Sequence, residues 1–591
     1  MNQNTSKSIQ GRDPTLIGKV RHVMGATITV ELSREIAGST PIYQGRVYHI
    51  GQIGSLITIP KGPIKLVGAV TMIGISELAG SLEPSNIPNQ GERWLRIQLL
   101  GELDAIGRFN RGVSTFPSLD DDVKFATTDD LSSIYPSEDS GLIPIGRLST
   151  SRSDVLRVDL PKLVTRHSAI IGSTGSGKSS AVARLIQSMI ANDLHKANIV
   201  IIDPHGEYLN VFGESAHVMT VDGADRNALN IPYWSLGLDD FIRAYAGPRT
   251  RINPVIRNKI QELMLKERRN YLEKADWRSP LPEDITVDTP VPFDIRELWY
   301  ELDFFNRATS RESKSSGDYA IEEEGNPIEL QKARFEPYAP GGPFKCITYG
   351  QYSPIPDRIL VRLKDPLFDF LSREFPDPEK PDPLPDCVSG WLGIENPISV
   401  LDFSGVPSEA ADVAIGSVLN LLFEMATSCP EDEGIGRARP ILIVLEEAHR
   451  FIGKTVSETA GAAKLASERI AREGRKYGLG LMVVSQRPAE LSETTLSQCG
   501  SFISLRLTNP GDQARVRSAM PDTVANLAES LPALRTGEAI VTGESVSLPT
   551  RVVIDRPSPE PTARDASLDS WLGPPEVNEV EKAVSYWRRN T

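Results

Sequence analysis

At 591 residues the chain is too long for a single hydrophobic core, and its 40% apolar and 24% charged residues describe an ordinary globular protein rather than a fibrous or disordered one. A formal net charge of −14 excludes a uniformly basic nucleic-acid binder, but leaves room for positive charge concentrated in a groove or pore. Cys346, Cys387, Cys429 and Cys499 lie far apart, give no metal-site spacing and suit a reducing cytoplasm. No apolar run reads as long enough to cross a bilayer, and Met1 to Pro14 lacks an apolar secretory core, so a cytoplasmic protein without a membrane partner is expected.

In chain order, residues 1–15 read as a disordered tip. From Ile17 to about Ile75, short β-branched runs are cut by glycines, and Trp94 to Leu103 alternates apolar and polar residues. Short strands with regular turn signals predict a small β-barrel or sandwich within residues 1–140. It would serve either as a docking module or as a domain that stabilises subunit contacts. Phe116 to Asp139, with Pro117, Ser118 and several aspartates, reads as a loop.

A second domain begins over residues 141–235. The apolar run Ser168-Ala169-Ile170-Ile171 leads into Gly172-Ser173-Thr174-Gly175-Ser176-Gly177-Lys178-Ser179, then Ser180 and a helical pattern through Ile190. Strand, glycine-rich turn, Lys-Ser and helix form a phosphate-binding loop in its required context. The glycines let successive N–H groups point inward at phosphate oxygens, and the helix N-terminus adds partial positive charge. Lys178 is placed to reach β- and γ-phosphates and Ser179 to hold Mg²⁺. The next buried strand, Ile199 to Ile202, ends in Asp203-Pro204-His205-Gly206-Glu207-Tyr208, and Asp203 is a nucleotide-site candidate because open α/β sheets bind ligands at strand carboxyl ends.

Residues 236–395 read as a mainly helical insertion. Asp239 to Ala275 is helical with breaks at Gly247-Pro248 and Pro254, and it carries eight basic residues between Arg243 and Arg269. These form either a face tracking a phosphate backbone or a solvated helix face. Ala308 to Gly342, rich in Ser, Glu, Gly and Pro, reads as flexible. The sheet resumes over 396–556 with runs at Ile398–Leu401, Ile441–Leu445, Leu479–Val484, Phe502–Leu505 and Glu538–Val541, which predict a mainly parallel sheet covered on both faces. Over 557–591 a proline-rich linker precedes a short helix. Its Val577, Val580, Val584 and Trp587 make one face, packed on the body or on a neighbouring subunit.

The chemistry clusters at strand ends. Glu446 and Glu447 follow five apolar residues and fall beside the phosphate loop if the two strands are adjacent. Glu446 is assigned to Mg²⁺ and Glu447 to activation of an attacking water, since charge neutralisation and nucleophile positioning are separate tasks. Gln486, at the end of the next strand, can sense the γ-phosphate or orient the water. Arg472 and Arg475 are candidates for a guanidinium delivered to a neighbouring subunit, the alternative being a solvated basic helix. Arg166, twelve residues before Lys178, is a looser candidate near a phosphate or an interface. His205 and His449 belong to no pair with metal-ligand spacing.

Together these residues resemble the HerA family, in the HerA/FtsK branch of P-loop motor ATPases. The resemblance rests on 172–179, Asp203–Tyr208, Glu446-Glu447-Ala448-His449, Gly474-Arg475-Lys476-Tyr477-Gly478, Ser485-Gln486-Arg487-Pro488 and Leu534-Arg535-Thr536-Gly537-Glu538-Ala539, in the family's order over about 165 to 545. It implies a RecA-like core, an N-terminal HAS-barrel and a homohexameric ring. Such a ring hydrolyses ATP with Mg²⁺ and threads double-stranded DNA. It also implies an effector at the barrel end, either a nuclease of the NurA type or, as in antiviral defence systems of bacterial relatives, a sirtuin-like NAD-consuming enzyme or another nuclease. Lys454 is a candidate pore residue. Glu446 departs from the commoner Asp. The alternative is a ring scaffold that holds and switches an effector with little translocation of its own. A monomeric GTPase is disfavoured because no Asn-Lys-x-Asp motif is present.

Two substitutions separate the assigned roles. Lys178→Ala is expected to weaken nucleotide affinity by roughly tenfold or more, the loss of a charge-assisted bond. Glu447→Gln is expected to keep nucleotide and abolish turnover. Equilibrium binding of a fluorescent ATP analogue and phosphate release measure the two effects, and a Glu447→Gln protein that hydrolyses ATP at the parent rate refutes the base assignment.

Overall fold

The computed structural model describes residues 13–33, 42–48, 52–74, 93–135, 141–192, 197–247, 252–315, 317–372, 375–392, 396–454, 461–520, 525–562 and 579–588. Most of the expected N-terminal tip, residues 1–12, lies outside them.

The first unit is a closed antiparallel barrel. Its strands run Thr27–Leu32, Leu16–Met24, Asp122–Phe125, Leu56–Lys61, Ile64–Gly74 and Trp94–Leu103, the last pairing back onto the first. Alternate side chains, among them Ile28, Val30, Ile57, Ile59, Leu95 and Ile97, fill its interior, as the two-residue period of a strand dictates. Closure removes sheet edges that would otherwise pair with other chains. The closing strand lies inside the stretch read as a loop. Asp122-Val123-Lys124-Phe125 is only four residues long and flanked by aspartates, yet it alternates out and in, and pairs with strands on both sides. A helix, Thr128–Ile134, follows it, its first turn closed by a reciprocal bond set between Thr127 and Asp130.

The second unit is an eleven-stranded sheet. Seven neighbouring strands are parallel, in the order Ser501–Ser504, Ser168–Ile171, Leu479–Ser485, Ile441–Leu445, Asn198–Asp203, Ile398–Asp402 and Ala216–Thr220. Four antiparallel strands, Glu538–Gly543, Thr550–Ile554, Leu142–Leu148 and Ser151–Asp159, extend the Ser501–Ser504 side. The parallel strands are buried on both faces, which is why they read as unbroken apolar runs. One face packs on the helix Lys178–Ile190, the other on Ser408–Ser428 and Ala462–Glu473. Arg111, on a short strand outside the barrel, fastens barrel to sheet: its guanidinium donates to the carbonyls of Gly543, Val546 and Ser547 in the hairpin turn of the core.

The helix Ser408–Ser428 corrects one expectation. It is long and apolar enough to span a bilayer, but 72% of its apolar window is buried inside the protein, where it forms the core against Ala462–Glu473. Asp412 on this helix accepts the N–H groups of Ala462 and Ala463 at 3.1 and 3.3 Å. It thereby caps a neighbouring helix whose own flanking Gly461 supplies no side-chain bond.

The helices Leu238–Ala246, Pro254–Lys274, Ile295–Arg307 and Ile355–Leu363 build a separate core around Trp299, Phe241, Phe293 and Tyr245. The stretch 308–342 read as flexible is tied down instead. Short strand pairs join Thr309–Ser310 to Phe344–Lys345 and Ile321–Glu323 to Arg334–Phe335, and Phe304 packs edge-on against Tyr319 and Phe335. Sparse aromatic anchors compensate for a polar composition. The basic stretch also resolves. Arg243 pairs with Asp240, Arg257 with Asp239, Lys259 with Glu262 and Lys266 with Glu301. Arg268 is fully buried. Four of the eight basic residues are thus paired with carboxylates of the same domain, as on a solvated face, while Arg249 and Arg251 lie outside the described residues. On the terminal helix Glu579–Arg588, Val580 is 76% and Trp587 82% exposed, and Val584 is half-buried. Val577 lies outside the described residues.

Arg268 donates to the carbonyls of Val287, Trp234 (2.9 Å) and Leu236 (3.0 Å) under the ring of Phe293. Arg268→Met keeps the stem but strands three carbonyls, so we expect a loss of about 2–4 kcal/mol. Denaturant unfolding followed by tryptophan fluorescence measures it, and an unchanged midpoint refutes the structural role.

Candidate functional site

The seven parallel strands end at one edge, and the phosphate loop leaves the second of them. Its entry is held between neighbouring strand tips. Gly172 N donates to Ser485 O at 3.2 Å, and Ser173 donates to Arg506 O through N at 2.9 Å and Oγ at 2.7 Å. Gly175 and Gly177 have φ of 70° and 99°, a region in which an L side chain is strained. Lys178 opens the helix and is 9% exposed, its Nζ folded back to 3.5 Å from Ser173 O. Ser179 and Ser180 continue the first turn, half-buried, and no side chain caps the helix N-terminus, so its N–H groups face the loop.

The segment Leu534–Ala539 props the loop from below, a role the residues alone did not disclose. Gly537 N donates to Ser176 O at 3.0 Å and Thr536 Oγ1 to Gly175 O at 3.3 Å. Glu538 anchors the segment, its carboxylate accepting from Arg551 at 2.7 and 2.9 Å, from Ser149 at 2.7 Å and from Arg535 N at 3.1 Å.

The strand carrying Glu446 and Glu447 is not adjacent to the phosphate-loop strand; Leu479–Ser485 stands between them. That intervening strand delivers Gln486 to the loop, where its Oε1 accepts from Thr174 Oγ1 at 2.6 Å. Glu447 reaches the site by a left-handed turn with φ 45°. Burial alone would raise its carboxyl, but His449, with the charges of Lys178 and His205, holds it below the ordinary glutamate value. It is an ionised base facing the loop lysine. His449 Nδ1 is 3.1 Å from Glu447 Oε2, an oblique approach that leaves Oε2 without an aligned hydrogen bond. The Glu-x-His spacing was the signal for His449, which metal-ligand arithmetic passed over.

Glu446 is fully buried on the face of the sheet that carries the phosphate-loop helix, and Tyr208 Oη donates to it. Burial, with the nearby charges of Asp203, Glu207 and Glu447, pushes its carboxyl up to about 8 against the Tyr208 bond. Asp203 is engaged by its own turn. Its oxygens accept the N–H groups of His205 (3.1 Å), Gly206 (2.8 Å) and Tyr208 (3.0 Å), so it folds the turn that presents Tyr208 to Glu446.

Three arginines lie away from the loop of their own chain. Arg166 precedes the amino end of the phosphate-loop strand and pairs with Glu544. Arg475, beside His167, and Arg472 lead into the amino end of Leu479–Ser485, both exposed. These positions exclude a contact between any of them and the chain's own phosphate loop. Lys454 is exposed just before residues 455–460, which lie outside the described residues.

The residues fit a triphosphate and a hard divalent cation. Ser176 Oγ is buried without an aligned partner, and a cation would relieve the repulsion gathered at Glu446.

Two family models match the chain. The central domain of helicase HerA matches residues 143–422, and the helicase HerA-like C-terminal domain matches residues 396–558. The DNA double-strand break repair helicase HerA of Sulfolobus acidocaldarius is 29% identical over 501 residues, covering 83% of this chain and 84% of the relative. That of Pyrococcus furiosus is 27% identical over 462 residues, covering 73% and 72%. Among solved structures, VirB4 of Thermoanaerobacter pseudethanolicus aligns with a TM-score of 0.44 at 14% identity, over 71% of this chain and 97% of that one.

The propping segment makes a prediction. Gly537 has φ 75°, so Gly537→Val introduces roughly 1–3 kcal/mol of backbone strain where Ser176 O is held. Affinity for a fluorescent ATP analogue is expected to fall about tenfold, although residue 537 carries no side chain toward the nucleotide. Unchanged affinity refutes the propping role.

Proposed function

We propose, from the premise that the chain belongs to the HerA helicase family and is an ATPase, that it is a ring motor that hydrolyses ATP and moves double-stranded DNA. The observation that carries this reading is the convergence at one sheet edge of a propped phosphate loop, an ionised Glu447 beside Lys178, and Gln486 bonded to Thr174. A binding site needs only the first; the other two serve turnover.

In this reading Lys178 and the N–H groups of 172–180 bind and orient the β- and γ-phosphates. Ser179 and Glu446 would hold Mg²⁺, which supplies charge neutralisation on the phosphate oxygens. Glu447 accepts the proton of the attacking water, and Gln486 reads the γ-phosphate against Thr174. Arg472 and Arg475, exposed at the far edge, serve the loop of a neighbouring copy in a homohexamer. The parallel sheet with its flanking helices (141–235 and 396–556) is read as a RecA-like core, 236–395 as its insertion, and the barrel within 1–140 as a HAS-barrel that seats an effector protein. The closed barrel, which leaves no edge to aggregate, and its firm attachment through Arg111 support that docking role.

Double-stranded DNA is expected to stimulate ATP hydrolysis several-fold, with affinity falling steeply as salt rises, because phosphate contacts release counterions. Turnover and DNA retention by the assembled protein, measured across a salt series, test this. DNA-independent turnover together with no retention at low salt refutes the motor reading.

A further inference from the structure

Glu447 stands on a left-handed residue at the end of a strand, with Lys178 as its nearest cationic group of the loop. Nothing in that arrangement alone keeps the carboxylate available for water. An unopposed ion pair with Lys178 would draw it onto the ammonium and occupy both groups. Its side chain, 13% exposed, also has beside it the imidazole of His449, 11% exposed, with Nδ1 3.1 Å from Oε2. The same Nδ1 is 3.4 Å from Ser485 Oγ, which in turn accepts the N–H of Arg487 at 3.0 Å. Ser485 closes the strand whose next residue, Gln486, is bonded to Thr174 of the phosphate loop. The imidazole therefore sits between two strand tips, one carrying the carboxylate and the other the amide.

We propose that His449 is a positioning residue for hydrolysis: its Nδ1–H, shared between Glu447 Oε2 and Ser485 Oγ, restrains one carboxylate oxygen of Glu447, turns the other toward the attacking water and keeps the Glu447 and Gln486 tips in a fixed relation. The proposal rests on the reading of Glu447 as the water-activating base. The oblique approach of Nδ1 to Oε2 is of the kind that tightens when substrate closes a site. His449 takes no proton from substrate and touches no nucleotide. Its effect falls on the chemical step, through the angle at which Glu447 meets water, where a displacement of about 1 Å costs on the order of 100-fold.

The test compares His449→Leu, His449→Asn and Glu447→Gln in the full-length protein, with kcat, KM, affinity for a fluorescent ATP analogue and thermal midpoint measured for each. His449→Leu keeps the volume without a donor and is expected to lower kcat about 10- to 100-fold with nucleotide affinity unchanged. His449→Asn places an amide N–H near the position of Nδ1 and is expected to recover kcat to within about threefold of the parent, a rescue that a packing role does not produce. Adding His449→Leu to Glu447→Gln is expected to cost nothing more, since both act through one group. Parent-rate turnover by His449→Leu, or His449→Asn as inactive as His449→Leu, overturns the proposal while leaving Glu447 as the base. Parent-rate turnover by Glu447→Gln overturns the underlying reading instead. If His449→Leu lowers the thermal midpoint, His449→Asn decides alone, and a kcat below a tenth of the parent counts against the proposal.

Discussion

A phosphate loop is a run of backbone bent so that its donors face inward, and such a run leaves several of its own N–H and carbonyl groups to be matched by other segments. Its shape depends on partners brought from elsewhere, and that dependence orders the rest of this chain. Ser485 and Arg506 hold the entry from the two flanking strands, while Thr536 and Gly537 hold Gly175 and Ser176. Glu538, locked by Arg551 and Ser149, fixes the prop in place. The hairpin that follows is the one Arg111 of the barrel grips. The strand Glu538–Gly543 thus joins the prop of the nucleotide loop to the turn that Arg111 grips.

The second constraint is electrostatic. Asp203, Glu207, Glu446 and Glu447 gather at neighbouring strand tips, and the protein treats them differently. Asp203 is pushed up to about 6 by burial, against the three backbone N–H groups of its own turn that it accepts. Glu446 is buried against Tyr208, where its carboxyl is pushed toward the neutral form, so a cation is the partner that would ionise it. Glu447 is kept ionised by Lys178 and the two histidines. Two adjacent carboxyls held in opposite protonation preference are an arrangement suited to two separate tasks.

The parallel strands were legible because burial on both faces removes the polar residues that would otherwise obscure them, and the phosphate loop because its glycines and lysine are chemically irreplaceable. The closing barrel strand Asp122–Phe125 was not, since four residues with two charges carry no periodicity above their surroundings. The order of the parallel strands was also hidden: adjacency of Ile441–Leu445 to the loop strand is a property of the crossovers, and no local pattern encodes it. Arg166 shows the same limit from the other side. Twelve residues from Lys178 in sequence, it lies across the length of the sheet from the loop, because a strand intervenes. His449 was missed because spacing was weighed only for metal ligation, whereas its partner is a carboxylate two residues away.

The same crossing of the sheet bears on how the site is completed. A parallel strand places its amino and carboxyl ends at opposite edges, so residues leading into Leu479–Ser485 are as far from the loop as the strand is long. Arg472 and Arg475 lead into it; Gln486 leaves it. No rotamer change carries a guanidinium around that length, and the hydrogen-bonded strands on either side prevent the strand from sliding. Neither arginine reaches the phosphate loop of its own chain, so the proposed role at that loop requires another copy, stacked so that the amino edge of one sheet faces the carboxyl edge of the next. Repeating that head-to-tail contact closes a ring or winds a helix. The loop, carboxylate and amide of one subunit would then await the arginine of its neighbour.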